Sequence, residues 1–366
     1  MKNKKMFKTI ILWVGILILT LIVIMIIGVD FEKEDTMTVG FVMTGDDEEH
    51  GWNHLHYEGI LSACEELNVN LVVKDNVKEH TGQCEKAIWD MAEDEVDMII
   101  LSSYGYAEEV LDVVKEYPDI AFYSESFDYT APNMKSYFAR IYQARYLAGI
   151  VAGMQTETNC IGYVAAMANN EVNRGINAFT LGVKRVNPDA KVIVAWSDSW
   201  DDAEKEKELA KGLIEEETVD VITYHQNQPN VVEVAEAYSI ASIGYHEAVE
   251  GVSDNFLTAA VFNWDLTYKE VLLDYIREKS KTVDTYWIGI EQGAIGLSGF
   301  SSKVTKETID KVEQAKQEMI NGFDVFSGKI YDREGVLRCN EDETIDDEKL
   351  LKHFDWYVEG VEFYEE

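Results

Sequence analysis

Signature motifs of the common enzyme classes are missing from this 366-residue sequence. It has no G-x-S-x-G elbow, no G-x-x-x-x-G-K-[ST] loop, no H-E-x-x-H motif and no glycine-rich dinucleotide fingerprint. The sequence therefore offers no support for a serine hydrolase, a P-loop NTPase, a zinc protease or a dinucleotide-dependent enzyme. Its 68 acidic residues leave a carboxylate-pair hydrolase open, although abundance alone places no two carboxylates together. We expect a protein that is not an enzyme, with no catalytic residues and no cofactor.

Basic residues are scarce as well, since 32 lysines and arginines stand against 68 acidic residues. Four of those lysines (Lys2, Lys4, Lys5 and Lys8) precede the first apolar run, so the rest of the chain has 28 basic residues and a net charge of −40. Because binding a phosphate backbone requires a basic patch, we expect no nucleic-acid partner. A strongly acidic surface keeps a protein soluble, and it favours a neutral or cationic ligand.

Only four cysteines occur, Cys64, Cys84, Cys160 and Cys339, and none forms a C-x-x-C pair. Their spacing therefore gives no support for a structural zinc or a thioredoxin-like site. Cys64 and Cys84 are the pair closest in sequence and could form a disulfide outside the cytoplasm. Buried free thiols are the more common alternative.

An uncharged run of 21 residues, 9–29, follows the first lysines. At 1.5 Å per residue it covers about 30 Å, the thickness of the hydrocarbon core of a bilayer. Lysines precede the run and acidic residues follow it, so the positive-inside rule places residues 1–8 in the cytoplasm. A cleaved signal peptide is the alternative, but its apolar region should be about 7–15 residues long. We predict a single-pass protein of the cell membrane, with a cytoplasmic tail (1–8), a transmembrane anchor (9–29), a linker (30–36) and an extracytoplasmic binding domain.

Short apolar runs alternate with helical segments after the linker. The predicted strands are 37–43, 70–74, 96–101, 120–123, 160–165, 192–196, 219–224 and 240–244. Strands separated by one helix each are typical of parallel, doubly wound sheets. The pattern predicts an α/β protein with two such lobes, 37–138 (completed by about 265–300) and 139–264 (completed by about 301–366). Ligands of such sheets bind beyond the carboxyl ends of the strands, which indicates a cleft between the lobes.

The segment 140–155 is rich in small residues, among them Gly149 and Gly153. It is too short to span a membrane, and it contains Arg140 and Arg145. We predict a structural helix whose backbone packs closely on a neighbouring element.

Six blocks carry a family resemblance: YQARYLAGIVAG (142–153), IGYVA (161–165), GINAFTLGV (175–183), SWDD (199–202), SIGY (242–245) and NW (263–264). From about Thr38 to Gly335, the chain resembles the basic membrane protein family of ABC-transporter substrate-binding lipoproteins. The resemblance implies a type I periplasmic-binding-protein fold, in which hinge crossovers join two lobes around a cleft. It also implies a purine nucleoside or nucleobase as ligand, and the permease and ATPase subunits of an importer as partners. Two features depart from the family: its lipid-bearing cysteine is absent, and Asn227 stands where the family often has an aspartate.

A purine has two apolar faces and a rim of donors and acceptors, so its pocket needs aromatic walls and polar side chains. We predict that Trp52 and Trp200 stack on a planar base from opposite lobes and that Asn53 pairs with its edge. The remaining candidates follow strand ends or fall in the family blocks: His56, Ser103, Glu125, Asn227, Gly244, Asn263 and Trp264. Core packing is the alternative role for the tryptophans, and a solvated loop is the alternative for the polar residues.

The acidic loop 46–50 lies just before His54 and His56. Histidines and carboxylates at short spacing are metal ligands in principle, but the glycine expected in a calcium loop is misplaced. A solvated loop, contact of His56 with the ligand and a metal are the three alternatives, and we predict no metal site.

The expected mechanism is capture by lobe closure, followed by delivery of the ligand to a membrane permease. The alternative is an extracellular ligand-sensing module coupled to a membrane signalling partner.

Overall fold

The computed structural model describes residues 13–14, 36–47, 51–278 and 285–365. The predicted tail and anchor lie outside these ranges, apart from Trp13 and Val14, as does most of the linker. Within the described ranges, no helix is both long and apolar enough to cross a membrane.

Fifteen strands form in the described ranges, and most of the central ones are buried runs of apolar residues. Their bounds are β1 (Thr38–Val42), β2 (Asn70–Lys74), β3 (Met98–Leu101), β4 (Ala121–Ser124), β5 (Met134–Ala139), β6 (Cys160–Ala165), β7 (Lys191–Trp196), β8 (Val221–His225), β9 (Ala241–His246), β10 (Phe256–Phe262), β11 (Thr285–Ile288), β12 (Ile295–Leu297), β13 (Ile330–Tyr331), β14 (Leu337–Cys339) and β15 (Val361–Phe363). The central strands are buried on both faces because helices cover both sides of the sheets.

Helices alternate with these strands, as the sequence pattern predicts. Their bounds are α1 (Trp52–Leu67), α2 (Gln83–Glu93), α3 (Tyr106–Glu109), α4 (Leu111–Glu116), α5 (Ile141–Gln155), α6 (Asn170–Val186), α7 (Ala203–Glu216), α8 (Asn230–Tyr238), α9 (Trp264–Glu278), α10 (Lys306–Ile320) and α11 (Asp347–Lys352). Helix α6 begins at an N-cap, where the side chain of Asn169 accepts a hydrogen bond from Val172 N at 2.9 Å.

Two sheets organise the chain. The six-stranded sheet has the order β11-β5-β4-β3-β1-β2, and all of its strand pairs are parallel. The seven-stranded sheet has the order β12-β10-β9-β8-β6-β7-β15, and only β12 runs antiparallel to its neighbour. We call each sheet with its helices a unit. The first unit contains α1–α4 and α9, and the second contains α5–α8, α10 and α11.

The chain passes between the units three times, after β5, after β10 and after β11. These crossings are hydrogen-bonded to one another. Arg140 N donates to Ile288 O at 2.7 Å, and Asn263 N donates to Ala294 O at 2.8 Å. Because three crossings lie side by side, the two units meet along one line at the carboxyl ends of their parallel strands.

Helices α5 and α6 make the close backbone contact that the small residues of 140–155 predict. A Cβ atom on Gly149 would lie 2.0 Å from Phe179 O, and one on Gly182 would lie 2.0 Å from Tyr146 O. Only glycine lets the two helices approach this closely. This predicted structural role is therefore confirmed.

All four cysteines are free thiols, and Cys64 and Cys84 are both buried in the first unit. The disulfide considered for this pair is absent, and the alternative of buried free cysteine holds. Burial raises the pKa of the Cys64 thiol to about 11, which keeps it protonated at neutral pH.

Candidate ligand-binding site

Aromatic side chains from both units meet at the line where the units join. The ring of Trp52 lies 4.2 Å from the ring of His56 and 5.6 Å from that of Trp264, both in the first unit. On the other side, it lies 5.5 Å from His246 and 6.2 Å from Phe262 of the second unit. We call these five residues, together with Phe138, the aromatic cluster. The sequence candidates Trp52, His56 and Trp264 are thus brought together.

Trp52 is the first residue of α1. Its indole Nε1 donates to Ser102 O at 3.0 Å, and this bond fixes the ring against the end of β3. Gly51 precedes it with φ = 99°, a conformation that favours glycine. A Cβ atom on Gly51 would lie 2.6 Å from Asn227 O, so the two units touch closely here.

Behind Trp52, four buried polar side chains of the first unit form a closed ring. His56 Nδ1 contacts the hydroxyl of Tyr268, which lies 3.2 Å from the hydroxyl of Tyr137. Tyr137 donates to Glu125 Oε1 at 3.3 Å, and that oxygen lies 3.5 Å from His56 Nε2. The sequence candidates His56 and Glu125 therefore belong to one network.

Burial controls the charge of this ring. It lowers the pKa of His56 well below its usual value, so the imidazole is neutral at pH 7. Burial also raises the pKa of Glu125 well above its usual value, and the nearby charges of Glu171 and Glu79 add to the rise. Burial therefore favours the neutral forms of both side chains behind the cluster.

Replacing Glu125 by glutamine should change how stability depends on pH. A carboxyl whose folded pKa is raised contributes stability that is fully present below the unfolded pKa, near 4.5, and is lost as pH rises through the folded pKa. Glutamine does not titrate, so the stability of Glu125→Gln should not fall in this way as pH rises. The difference in free energy of unfolding, variant minus wild type, should therefore rise with pH above about 4.5, by at most about 1.4 kcal/mol per pH unit. Urea unfolding from pH 4.5 to 8 measures the difference. Exposed Glu65→Gln on α1 is the control, and parallel profiles for Glu125→Gln and wild type would contradict the assignment.

The second unit contributes a different polar group. Glu171, at the start of α6, lies 3.4 Å from His225 Nε2 and accepts a hydrogen bond from the hydroxyl of Tyr245 at 3.3 Å. Burial alone would raise the pKa of Glu171, but His225, Arg174 and Tyr245 together lower it. The carboxylate is therefore ionised, and its side chain retains 27% exposure where the units meet.

A buried arginine supports this part of the second unit. Arg145 on α5 is fully buried and donates to Tyr224 O at 2.6 Å. Its guanidinium lies 4.0 Å from the centre of the Tyr245 ring, a cation–π contact. Arg145 thus holds Tyr245 in place while remaining away from solvent.

Trp200 and Asn227 lie together in the second unit, outside the aromatic cluster. Trp200 is half-buried, its ring lies 6.0 Å from that of His225, and its carbonyl accepts from Asn227 N at 3.1 Å. A chain of adjacent rings, His225, Tyr245 and His246, connects Trp200 with the cluster. Stacking of Trp52 and Trp200 on one base remains a prediction.

The other candidates have contacts within the protein. Asn53 accepts a hydrogen bond from Thr44 at 3.1 Å, and Ser103 donates to Glu79. Asn263 links two of the crossings, because its side chain donates to a carbonyl of the third crossing. Gly244 lies in β9, where a Cβ atom would come within 2.7 Å of Phe256, so its position is one of tight packing. Ligand contact by these four residues remains a prediction.

The sequence-based prediction does not include Glu171, His225 or His246. His225 and His246 are the last residues of β8 and β9. The sequence candidates were chosen near the carboxyl ends of strands, where ligands of parallel sheets bind, and the same rule applies to these two histidines. Glu171 follows a helix N-cap, a position that the rule does not cover. In the described part of the chain, no group of three or more histidine, cysteine or acidic side chains is arranged to hold a metal ion.

Comparison with protein families adds to this geometry. The model of the Bmp family, described as PnrA-like ABC transporter substrate-binding proteins, matches residues 36–328. This chain belongs to the Bmp family. The matched range includes all three crossings, and it confirms the resemblance that the six sequence blocks carry. ABC transporter substrate binding is the function described for this family.

Two relatives align with most of this Bmp family member. A putative ABC transporter glucose-binding protein of Haloferax volcanii is 34% identical over 280 residues, which cover 76% of this chain and 68% of the relative. A purine-binding protein of Brucella abortus is 30% identical over 334 residues, which cover 90% of this chain and 94% of the relative. The name of the first relative thus includes a sugar as ligand, and that of the second includes a purine.

Two solved structures share the fold of this Bmp family member. A transcriptional activator of the comK gene from Bacillus halodurans has a TM-score of 0.69 at 25% identity, with 78% of this chain and 98% of that chain covered. An ABC transporter solute-binding protein from Conexibacter woesei has a TM-score of 0.64 at 20% identity, with 78% of this chain and 97% of that chain covered. These structures confirm the predicted α/β class with parallel sheets.

Proposed function

We propose that this protein captures a purine nucleoside or nucleobase between its two units and delivers it to the permease and ATPase subunits of an ABC importer. The aromatic cluster is the observation that supports this ligand class, because both units contribute rings to it. A purine suits such a site, since it combines apolar faces with a polar rim. Burial behind the cluster favours the neutral forms of both His56 and Glu125, and this suits an uncharged ligand.

We further propose that the units are the two lobes of a type I periplasmic-binding-protein fold. Among the described residues, the first lobe comprises 38–47, 51–139, 264–278 and 285–288, and the second comprises 141–262 and 295–365. The sequence pattern extends the first lobe to about residue 300, but β12 (Ile295–Leu297) pairs with β10 in the sheet of the second unit. The three crossings are then the hinge, and the close approach of Gly51 to Asn227 corresponds to a closed arrangement. Opening about the crossings would expose the aromatic cluster to an entering ligand.

A thermal-shift screen of residues 36–366 tests the ligand class. Nucleosides, nucleobases, sugars including glucose, and amino acids are added separately, because a ligand of the folded state stabilises it by RT ln(1 + [L]/Kd). We expect a rise in melting temperature with one or more purines. A rise with glucose alone would replace the purine by a sugar, and no rise with any compound would remove the proposed capture function.

We also propose that residues 9–29 anchor the protein in the membrane, with the binding domain on the extracytoplasmic side. The 21-residue uncharged run and the preceding lysines support this topology. Mass spectrometry of the membrane-associated protein should find the original N-terminus. A mature N-terminus near residue 30 would show cleavage instead.

A ligand-sensing module is the second candidate function. The solved structure named as a transcriptional activator favours it, because that protein shares the fold over 78% of this chain. A sensor would use the same site without a transporter. Purine uptake by cells that lack this protein separates the two functions, since only loss of the importer component reduces uptake directly.

A further inference from the structure

His246, the last residue of β9, has an unusual backbone and an unsatisfied ring nitrogen. Its φ is 72°, a left-handed conformation that is uncommon for a residue other than glycine, and its side chain is only 4% exposed. Nε2 lies 3.2 Å from the carbonyl oxygen of Gln226. Because a carbonyl only accepts, Nε2 carries the proton, and Nδ1 of the neutral ring is an acceptor. Within the described residues, Nδ1 has no hydrogen-bond partner.

Trp264 supplies the complementary group from the other unit. It is the first residue of α9, it is 3% exposed, and its indole N–H has no acceptor among the residues that the structure describes. Its ring stacks on Phe262 at 4.7 Å with an interplanar angle of 10°. The ring of His246 lies 5.9 Å from that of Phe262 with an angle of 23°. A donor and an acceptor without partners therefore border the same phenylalanine.

Buried donors and acceptors without hydrogen-bond partners are rare in folded proteins, because each of them is destabilising. The charged and titratable groups around His246 keep it neutral. Burial lowers the pKa of its imidazole well below the usual value, and His225, Arg145 and His56 lower it further. Proton uptake therefore does not satisfy Nδ1 at neutral pH, and a ligand that donates to it would.

We propose that His246 Nδ1 and Trp264 Nε1 are the specificity-determining pair of this site, and that they bind the rim of an uncharged planar heterocycle. His246 accepts a ring or exocyclic N–H of the ligand, and Trp264 donates to a ring nitrogen or carbonyl oxygen. A purine base offers both groups on its rim. This inference rests on the proposed function. It adds His246 to the candidate residues, and it gives the candidate Trp264 a hydrogen-bonding role in addition to stacking.

Calorimetric titration with hypoxanthine and adenine tests the pair. Trp264→Phe retains an aromatic ring and removes the N–H, and His246→Gln retains an amide near Nε2 and removes the Nδ1 acceptor. Each should raise Kd about 5- to 150-fold, because one ligand group is left unpaired in the bound state. His246→Asn should recover part of the affinity, since its amide oxygen lies near the Nδ1 position and asparagine tolerates the left-handed backbone.

Trp287→Phe is the matched control. Trp287 is also buried with an indole N–H that has no partner in the described ranges, and it lies outside the aromatic cluster. Trp264→Phe and Trp287→Phe should lower the melting temperature of the ligand-free protein to a similar extent, and only Trp264→Phe should weaken binding. If the Trp264→Phe variant and the His246→Gln variant each bind with a Kd within twofold of wild type, this inference is overturned and the proposed function stays intact. No binding of either base or their nucleosides to wild type would overturn the proposed function, and this inference with it.

Discussion

Replacing Trp52 by alanine should weaken purine binding about 5- to 150-fold. Stacking of a base on an aromatic side chain is worth about 1–3 kcal/mol, and the Trp52 ring contacts rings of both units. Its indole also donates to Ser102 O, so the variant should lose some stability in addition. Calorimetric titration beside thermal melts separates the two effects.

Two comparisons strengthen the Trp52 experiment. Trp89→Ala removes an exposed tryptophan of α2 and should leave affinity unchanged. Trp200→Ala should weaken binding by a similar factor if Trp200 forms the opposite wall, as the sequence predicts. If Trp52 is a core residue only, Trp52→Ala should cost about 3–5 kcal/mol of stability with unchanged affinity.

Replacing Gly149 by alanine should lower the free energy of unfolding by about 3 kcal/mol or more. The new Cβ atom would lie 2.0 Å from Phe179 O, and the contact is with backbone that no side-chain rotation can relieve. Helices α5 and α6 would have to separate, although alanine is otherwise favoured over glycine in a helix by about 1 kcal/mol. Denaturant unfolding measures the change.

Gly296→Ala is the control for the glycine experiment, because a Cβ atom on Gly296 meets nothing within 4 Å. Its unfolding free energy should stay within about 0.5 kcal/mol of wild type. A Gly149→Ala protein as stable as wild type would show that the two helices do not pack as closely as described.

The alternation of strands and helices was predictable because parallel strands buried on both faces are continuous apolar runs. Strand β3, for example, is Met-Ile-Ile-Leu, and all four residues are buried. Strand β5 does not follow this rule, because it contains Lys135, whose ammonium is buried 3.6 Å from Asp274. The short strands β11, β12 and β15 depend on pairing with distant partners, which local sequence does not reveal.

The candidate site was predictable in part, because ligands of parallel sheets bind near the carboxyl ends of strands and strand ends can be located in the sequence. Trp52, His56 and Trp264 follow strand ends or fall in family blocks, and the structure brings their rings together. His246 ends a strand and was within reach of the strand-end rule, but its left-handed backbone and unsatisfied ring nitrogen, which distinguish it from other strand-end residues, appear only in three dimensions. Glu171 was missed because its role depends on His225 and Tyr245, which are distant in sequence.

Small-angle X-ray scattering with and without a purine tests most directly the claim that this protein captures its ligand between two closing units. In the structure described above, the two units approach each other closely at Gly51 and Asn227. The ligand-free protein should have a larger radius of gyration than this arrangement, and saturating hypoxanthine or inosine should reduce the radius to match it. An unchanged radius at saturating purine, confirmed by calorimetry on the same sample, would contradict capture by closure.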